Sequence, residues 1–159
     1  MEEFVENYVE QFSIFTSQIT NGGILVYNEE DATVKHVAEE TTNPIRKIAY
    51  QTPSYTVENG TTLLDTPEGP MPIEVFGAHN LNNLAGAKWI CQNMGVDEED
   101  FYEAIASFKG ASKRLEKIAE GKGKVAYKDF AHSPSKVAAT TKAVKEQYPD
   151  RTLVACLEL

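Results

Sequence analysis

The spacing of the apolar residues changes twice along the chain, and this constrains the fold more than any other feature. Residues 3–19 repeat apolar side chains every three or four positions, which predicts an amphipathic helix with an aromatic-rich face that packs on a sheet. Residues 45–76 alternate instead, which predicts strands, with Asn59-Gly60 as a hairpin turn. Helical spacing returns from Asn80 onward. The mixture indicates an α/β protein.

The individual elements of the first half follow from turn and cap residues. Gly23–Tyr27 is a short buried strand, and Asn28 is expected to cap a helix from about Glu30 to Glu40. A small antiparallel meander is then expected from four short strands, at 47–50, 54–57, 61–64 and 71–76. The helix from Asn80 to about Met94 is apolar around much of its circumference and is expected to be buried, and a further helix runs towards Gly110.

After Gly110 the composition becomes charged and glycine-punctuated, which predicts a linker over 111–122. A strand at 125–127, a polar loop and a helix from Pro134 to about Gln147, with Val137, Ala138, Thr141 and Val144 inward, would follow. A last strand at 152–159 would complete a strand-helix-strand unit, the opening of a parallel domain. Because two strands and one helix cannot cover both faces of a sheet, we expect the sequence to be cut within a domain.

Charge and composition exclude several classes of protein. The 24 acidic residues outnumber the 15 basic ones, for a net charge of -9, which disfavours a general nucleic-acid binder. The sequence shows neither a membrane span nor a secretory signal, so a cytoplasmic location without membrane partners is expected. Cys91 and Cys156 lie in apolar segments, which predicts small buried side chains rather than a disulfide or a zinc site.

Three short polar segments carry the residue types that bind ligands. They are Gly77-Ala-His79-Asn80-Leu-Asn-Asn83, Phe108-Lys-Gly110-Ala-Ser-Lys-Arg114-Leu-Glu116 and Asp129-Phe-Ala-His132-Ser-Pro134. The first opens a helix, where free N–H groups and the helix dipole favour anions. Each has a purely structural alternative: an Asn cap for the first, one cation in a mixed-charge linker for Arg114, and a loop histidine near a helix cap for His132.

Taken together, the three segments resemble the Mur ligase family, the cytoplasmic ATP-dependent ligases of murein synthesis and recycling. The family pattern is Gly-x-His-Asn-x-x-Asn, then Phe-x-Gly followed by Arg, then Asp-Tyr/Phe-Ala-His-x-Pro, and it is matched over about residues 75–137. The resemblance implies that residues 1–110 are the C-terminal part of a central ATP-binding domain. Residues 123–159 would then be the truncated start of a Rossmann-like C-terminal domain, joined by the linker 111–122.

The resemblance also implies roles for individual residues. His79, Asn80 and Asn83 would contact the adenine and ribose of ATP, and Asp129 would accept hydrogen bonds from the ribose hydroxyls. Arg114 would reach the phosphates, which suits the bidentate fork of a guanidinium, and His132 would face the bound substrates. Lys128 and Ser133 depart from the family's common form, in which the first position is often acidic and the second often a histidine.

The implied reaction is the formation of an amide between UDP-N-acetylmuramate and an amino acid or peptide, with ATP and Mg2+. Phe130 and the Lys113–Glu116 run are closer to the murein peptide ligase, which attaches a recycled tripeptide, than to the L-alanine-adding enzyme. The sequence contains no Gly-x-x-Gly-Lys-Thr/Ser phosphate loop, and neither the family's magnesium ligands nor its UDP-sugar domain is recognisable. We therefore expect the chain to hold no metal site and to be inactive alone.

Two further classes of function stay open on the sequence. The chain would be a stand-alone nucleotide- or protein-binding module if it kept only the recognition residues, or an acidic interaction domain that binds no nucleotide.

Overall fold

A computed structural model of the chain describes residues 2–157, with the side chains described from residue 7 onward. The elements in chain order are α1 Glu2–Ser17, β1 Ile24–Asn28, α2 Ala32–Glu40, β2 Arg46–Tyr50, β3 Tyr55–Glu58, β4 Thr61–Thr66, β5 Gly69–Ile73, α3 Ala78–Asn93, α4 Glu98–Ala106, β6 Glu116–Gly121, β7 Lys124–Lys128 and α5 Pro134–Gln147. The mixed α/β class with a small antiparallel meander is confirmed. In the described part of the chain, no helix is long and apolar enough to cross a bilayer.

The chain divides into two compact units, which are described separately below. The first contains the residues up to Thr52 together with Asn82–Asp97, and the second contains Pro53–Leu81 and the residues from Glu98 onward. Helix α3 contributes its first turn to the second unit and the remainder to the first.

In the first unit, β1 and β2 form a parallel pair that runs from Ile24 opposite Arg46 to Asn28 opposite Tyr50. The expectation that residues 47–50 belong to the meander is therefore wrong. A parallel neighbour needs a crossover connection, and α2 lies in the connection between these strands. Helix α3 lies close to β2, because a Cβ added at Gly86 would stand 2.9 Å from the Tyr50 ring.

The helices of the first unit differ from the sequence-based expectation in three details. Asp31 caps α2, because its Oδ1 accepts the N–H groups of Thr33 and Val34 at 2.9 and 3.0 Å, whereas Asn28 accepts the N–H of Glu30. The aromatic face of α1 lines an apolar groove of about 410 Å³ with β1 and α2 and stays largely open, with Phe15 64% exposed. Its predicted members Phe4 and Val5 lie outside the described side chains. The expectation that α3 is buried fails towards its C-terminus, where Trp89 and Ile90 are exposed.

The second unit contains the antiparallel meander β3-β4-β5. The predicted hairpin turn is confirmed: Asn59 and Gly60 have φ values of 50° and 78°, and Glu58 pairs with Thr61 on either side. Gln147, at the end of α5, is buried against this hairpin. Its Oε1 accepts the Thr62 hydroxyl at 2.9 Å, and its Nε2 donates to the Gly60 carbonyl at 2.6 Å. A polar pair thus ties α5 to the meander.

The end of the second unit departs most from the expectation. The stretch expected as a linker contains β6, which pairs with β7 in an antiparallel hairpin, so β7 does not open a parallel sheet among the described residues. Residues 152–157 form no strand and are exposed, Cys156 included, so the predicted last strand and the predicted burial of Cys156 are wrong there. Residues 158–159 lie outside the described part. The domain boundaries themselves stay a prediction.

Helix α5 has the predicted limits but a slightly rotated inner face. Ala143 and Gln147 are buried, whereas Ala138 is exposed. Ala143 packs with Phe76 and Leu115 in one apolar cluster, and Tyr127 lies edge-to-face on Phe76 at 5.2 Å between ring centroids. The three polar segments therefore adjoin one core: Phe76 precedes the first segment, Leu115 belongs to the second, and Ala143 lies on the helix that follows the third.

Gly77 closes this core, and its replacement is our first prediction. Its φ is 86°, and an added Cβ would overlap the Cβ of Ala143. We expect Gly77→Ala to lower the free energy of unfolding by about 2–4 kcal/mol, from backbone strain plus overpacking. Chemical denaturation followed by circular dichroism measures it.

Gly123→Ala is the matched control, since Gly123 has φ 72° in the same unit and an added Cβ would meet nothing within 4 Å. Backbone strain alone should cost about 1–2 kcal/mol there. Equal losses in the two variants would contradict the tight packing at Gly77.

Candidate functional site

Three of the predicted site residues, His79, Arg114 and Asp129, lie in the second unit and influence one another electrostatically. His79 is the second residue of α3 and is half-buried, and the charges of Asp129 and Arg114 both act on its ring. Burial lowers the pKa of His79 below its usual 6.5 and the Arg114 guanidinium lowers it further, while the Asp129 carboxylate opposes both. The neutral imidazole is therefore favoured at pH 7, with one nitrogen to donate and one to accept a hydrogen bond.

Asn80 is fixed at the start of α3 by the strand end before it. Its Nδ2 donates to the Phe76 carbonyl at 2.9 Å, and its backbone N–H donates to the Gly77 carbonyl at 2.9 Å. Because Phe76 is buried in the core, the Asn80 amide has a defined orientation. Two cap-type bonds thus support the polar start of α3, in agreement with the structural alternative for this segment.

Asp129 follows β7, and its carboxylate joins three segments of the second unit. Oδ2 accepts the Leu115 N–H at 2.8 Å, while Oδ1 accepts the Ala131 N–H at 2.7 Å and the Thr140 hydroxyl at 3.3 Å. A carboxylate that accepts backbone N–H groups forms strong, charge-assisted bonds. Asp129 therefore has a structural task whatever ligand it meets, and its ribose contact stays a prediction.

Arg114 lies in a tight loop between Gly110 and β6. Lys113 and Leu115 on either side have φ values of 58° and 46°, the left-handed region that non-glycine residues rarely adopt. The Arg114 N–H donates to the Ala111 carbonyl at 3.1 Å, and the Lys113 carbonyl accepts the Phe130 N–H at 2.9 Å. Leu115 is buried while Arg114 is exposed, so the loop is anchored by one residue and presents the next.

Glu116 is the first residue of β6, directly after this loop, and the sequence assigned it no role beyond membership of a motif. Its Oε2 accepts the Lys113 N–H at 2.8 Å and the Ser112 hydroxyl at 3.1 Å. These two bonds lower the pKa of the Glu116 carboxyl below its ordinary value. One signal in the sequence could have indicated this role. The Glu116 carboxylate follows the potential donors Ser112 and Lys113 at the spacing of a local turn.

The other two predicted site residues are His132 and Asn83. His132 is exposed; its Nδ1 lies 3.0 Å from the Phe130 carbonyl, and its ring is 5.2 Å from the Phe130 ring. Ser133 occupies the N-cap position of α5 without a side-chain capping bond. Asn83 is exposed on α3 and falls in the first unit. The roles of His132 and Asn83 stay predictions.

The first unit contains a polar cluster that the sequence did not indicate. The Asn82 amide donates to Glu30 Oε2 at 2.9 Å and to Thr52 Oγ1 at 3.1 Å, and Thr52 donates from its hydroxyl and its N–H to the same Glu30 oxygen. The cluster follows the carboxyl ends of β1 and β2, where α/β proteins commonly bind ligands. Its bonds are all within the unit, so its observed role is to fix α3 to the strand ends.

A cavity of about 870 Å³ lies beside the Arg114 loop in the second unit. Ser112, Leu115 and Glu116 line one side of it, and Tyr127 and Tyr148 line another. The two tyrosine hydroxyls are 2.7 Å apart, and burial raises the pKa of Tyr127 well above its usual range. Among the side chains that the structure describes, those of residues 7–157, no group of three or more His, Cys, Asp and Glu is placed to hold a metal ion.

The chain is similar in sequence to UDP-N-acetylmuramate–L-alanine ligases. It is 28% identical to the one from Caldicellulosiruptor saccharolyticus over an alignment of 162 positions that covers 94% of this chain and 36% of that protein. It is 32% identical to the one from Lactococcus lactis over 90 residues, 57% of this chain and 20% of the relative. The chain thus spans about a third or less of the length of these relatives. No family model matches it.

Several solved structures have a fold similar to that of this chain. MurF from Acinetobacter baumannii matches with a TM-score of 0.68 at 18% identity, over 82% of this chain and 31% of that one. A murein peptide ligase from Psychrobacter arcticus matches with a TM-score of 0.56 at 21% identity, over 90% of this chain and 32% of that one. A folylpolyglutamate synthetase complex with AMPPCP and folate matches with a TM-score of 0.58 at 16% identity, over 88% and 38%.

The titration of His79 tests the grouping of His79, Arg114 and Asp129. We expect Asp129→Asn to lower the pKa of His79 further and Arg114→Gln to raise it, since each change removes one charge that acts on the ring. NMR titration of the His79 ring measures both shifts, with the exposed His36 ring on α2 as the internal reference. Identical His79 titrations in the three proteins would contradict the arrangement.

The same pKa gives the sign of a pH effect on stability. Because the folded-state pKa of His79 is lowered, the unfolded chain binds a proton first as the pH falls. The contribution of His79 to the free energy of unfolding is complete above about pH 6.5 and decreases as the pH falls towards the folded-state pKa.

Proposed function

We propose that this chain, whose sequence relatives are UDP-N-acetylmuramate–L-alanine ligases and whose fold is similar to that of Mur ligases, belongs to an amide-forming ligase of peptidoglycan synthesis. In that ligase it would provide the adenosine side of the ATP site. The convergence of His79, Arg114 and Asp129 carries this proposal. These are residues of three sequence-distant motifs of the family, and they share one electrostatic environment.

Within this proposal each residue has a distinct task. His79 and Asn80 meet the adenine and ribose of ATP, since a neutral imidazole and an oriented amide suit uncharged polar groups. Arg114 binds the phosphates, where its guanidinium offsets the charge of the phosphoryl group in transfer. Asp129 holds the Arg114 loop and accepts a ribose hydroxyl, Asn83 extends the adenosine contacts, and His132 faces the second substrate.

The reaction proposed for the complete ligase has two steps. The terminal phosphoryl group of ATP passes to the carboxylate of UDP-N-acetylmuramate, giving an acyl phosphate and ADP. The amine of the second substrate then attacks the acyl carbon, and the tetrahedral intermediate expels inorganic phosphate as the amide forms. Magnesium would shield the phosphate charges. Positioning and charge stabilisation dominate phosphoryl transfer, and these are tasks that Arg114 can perform.

Two amines are candidates for the second substrate. L-alanine is supported by the sequence relatives, whose names specify it. The murein tripeptide of peptidoglycan recycling is supported by Phe130 and the Lys113–Glu116 run, on which the sequence preference rests. Phe130 is 60% exposed next to His132, so it is available to a substrate. A ligase of either kind would work in the cytoplasm, where ATP and the UDP-sugar are found.

Binding of ATP by the 159-residue chain tests the proposal. Without a phosphate loop we expect a dissociation constant on the order of 1 mM, about 4 kcal/mol of binding. NMR titration with ATP should shift the amide signals of Asn80, Arg114 and Leu115, whereas Glu68, in the β4–β5 turn, should stay unchanged. Unchanged signals of Asn80, Arg114 and Leu115 up to about 10 mM ATP, well above the expected dissociation constant, would contradict nucleotide binding.

The same sample tests the expected inactivity and the other classes of function. With ATP, Mg2+, UDP-N-acetylmuramate and either amine present, we expect no ADP and no amide product. Detection of amide formation would contradict the expectation that the chain is inactive alone. ATP binding without activity agrees with the ligase part and with a stand-alone nucleotide module, while absence of binding favours the acidic interaction domain.

A further inference from the structure

We propose that Glu116 is a positioning residue for Arg114, one that sets the direction of the guanidinium without touching the nucleotide. The inference rests on the proposed function, because Arg114 matters only if the site binds phosphates. It gives the Glu116 carboxylate a role in that site, whereas the sequence motif that contains Glu116 indicated no role for it.

The contacts of Glu116 close the loop on the N-terminal side of Arg114. Both bonds to its Oε2, from the Lys113 N–H and the Ser112 hydroxyl, come from the two residues immediately before Arg114. They close a short ring of the chain with Arg114 inside it. The peptide between Ser112 and Lys113, one residue before Arg114, is therefore held by a side chain that follows Arg114 in the sequence.

Asp129 closes the loop on the other side. Its Oδ2 accepts the N–H of Leu115, the residue that follows Arg114, and Leu115 is itself buried against Phe76 and Ala143. Lys113 and Arg114 thus lie between two peptide N–H groups, each of which donates to a different carboxylate. Asp129 and the apolar core fix one end of the loop, and Glu116 fixes the other.

The backbone of the loop explains why such a clamp is needed. Lys113 and Leu115 both adopt left-handed φ values, a conformation that is unfavourable for residues with a Cβ unless the surroundings hold it. Without the Glu116 bonds, the left-handed conformation of Lys113 is held only by the two bonds of the following peptide, from the Arg114 N–H to Ala111 and from the Phe130 N–H to the Lys113 carbonyl, so we expect the loop around Arg114 to become more mobile. The guanidinium at the end of a long, flexible side chain then no longer points in one direction.

The pH dependence of the clamp has a fixed sign. The hydrogen bonds from Lys113 and Ser112 lower the pKa of the Glu116 carboxyl, so the charged acceptor is complete above the ordinary value for Glu and is lost as the pH falls through the lowered one. The neighbouring charges that face this carboxylate are those of Lys128 and Lys113, which also favour its ionised form.

The free chain provides the first test, which needs no nucleotide. In Glu116→Ala we expect the Lys113 amide to exchange with solvent about tenfold faster, the factor for loss of one charge-assisted bond, and the backbone order parameter of Arg114 to fall. Glu116→Gln keeps an acceptor and should restore part of both. Glu120→Ala is the matched control, because Glu120 pairs with the exposed Lys117 on the same strand. An unchanged Arg114 order parameter in Glu116→Ala overturns the proposal.

The second test compares two ligands. Glu116→Ala should weaken binding of ATP about fivefold and leave binding of adenosine, which has no phosphates, unchanged. In an Arg114→Ala background the same substitution should have no further effect on ATP. Equal weakening of ATP and adenosine, or additive losses in the double variant, means that Glu116 only stabilises the loop, and this overturns the positioning role.

Failure of the proposed function gives a different result. If the unmodified chain binds neither ATP nor adenosine, the nucleotide site is wrong, while the amide exchange of Lys113 and the order of Arg114 still decide whether Glu116 holds the loop. If the unmodified chain binds both ligands and Glu116→Ala changes neither the loop nor the ratio of the affinities, the positioning role is wrong and the nucleotide site stands.

Discussion

The arrangement of the candidate site depends on the hydrogen bonds that the Asp129 carboxylate accepts. This carboxylate joins the Arg114 loop, the turn after β7 and the side of α5, and it stands close enough to His79 to influence its pKa. A neutral side chain of the same shape would keep the geometry and lose the charge-assisted strength of the bonds. One acidic residue therefore serves both the packing of the second unit and the electrostatics of the surface that it shares with His79.

Local signals in the sequence predicted the local structure well. The hairpin at Asn59-Gly60 and the start of α5 at Pro134 follow from φ preferences that a single residue imposes, and both are found. The partner of β2 could not be predicted in this way, because pairing with β1 depends on a crossover rather than on neighbouring residues. Strand β6 was missed because charged residues flank its two adjacent apolar residues and the strand is largely exposed, which gives no alternating pattern.

The candidate site shows the same division between residue type and geometry. Residue types and their spacing in the three motifs predicted His79, Arg114 and Asp129 as site residues, and in the fold the charges of Arg114 and Asp129 act on the ring of His79. The bonds that orient Arg114 were not foreseeable, because they depend on left-handed conformations at two residues, Lys113 and Leu115, that ordinarily avoid them. A sequence motif thus predicts which side chains are present at a site, but it does not predict the strained backbone conformation that orients them.

The bond between Gln147 and the β3–β4 hairpin has a consequence for the synthesis of the chain. Thr62 and Gln147 are 85 positions apart, so the buried hydroxyl of Thr62 has its partner only after α5 has left the ribosome. Until then the meander lacks its contact with α5, and the Thr62 hydroxyl is without the amide oxygen that accepts it in the folded unit. Such non-local contacts fold slowly, and the second unit therefore completes its folding after translation of α5, while the β1–β2 pair of the first unit can form much earlier.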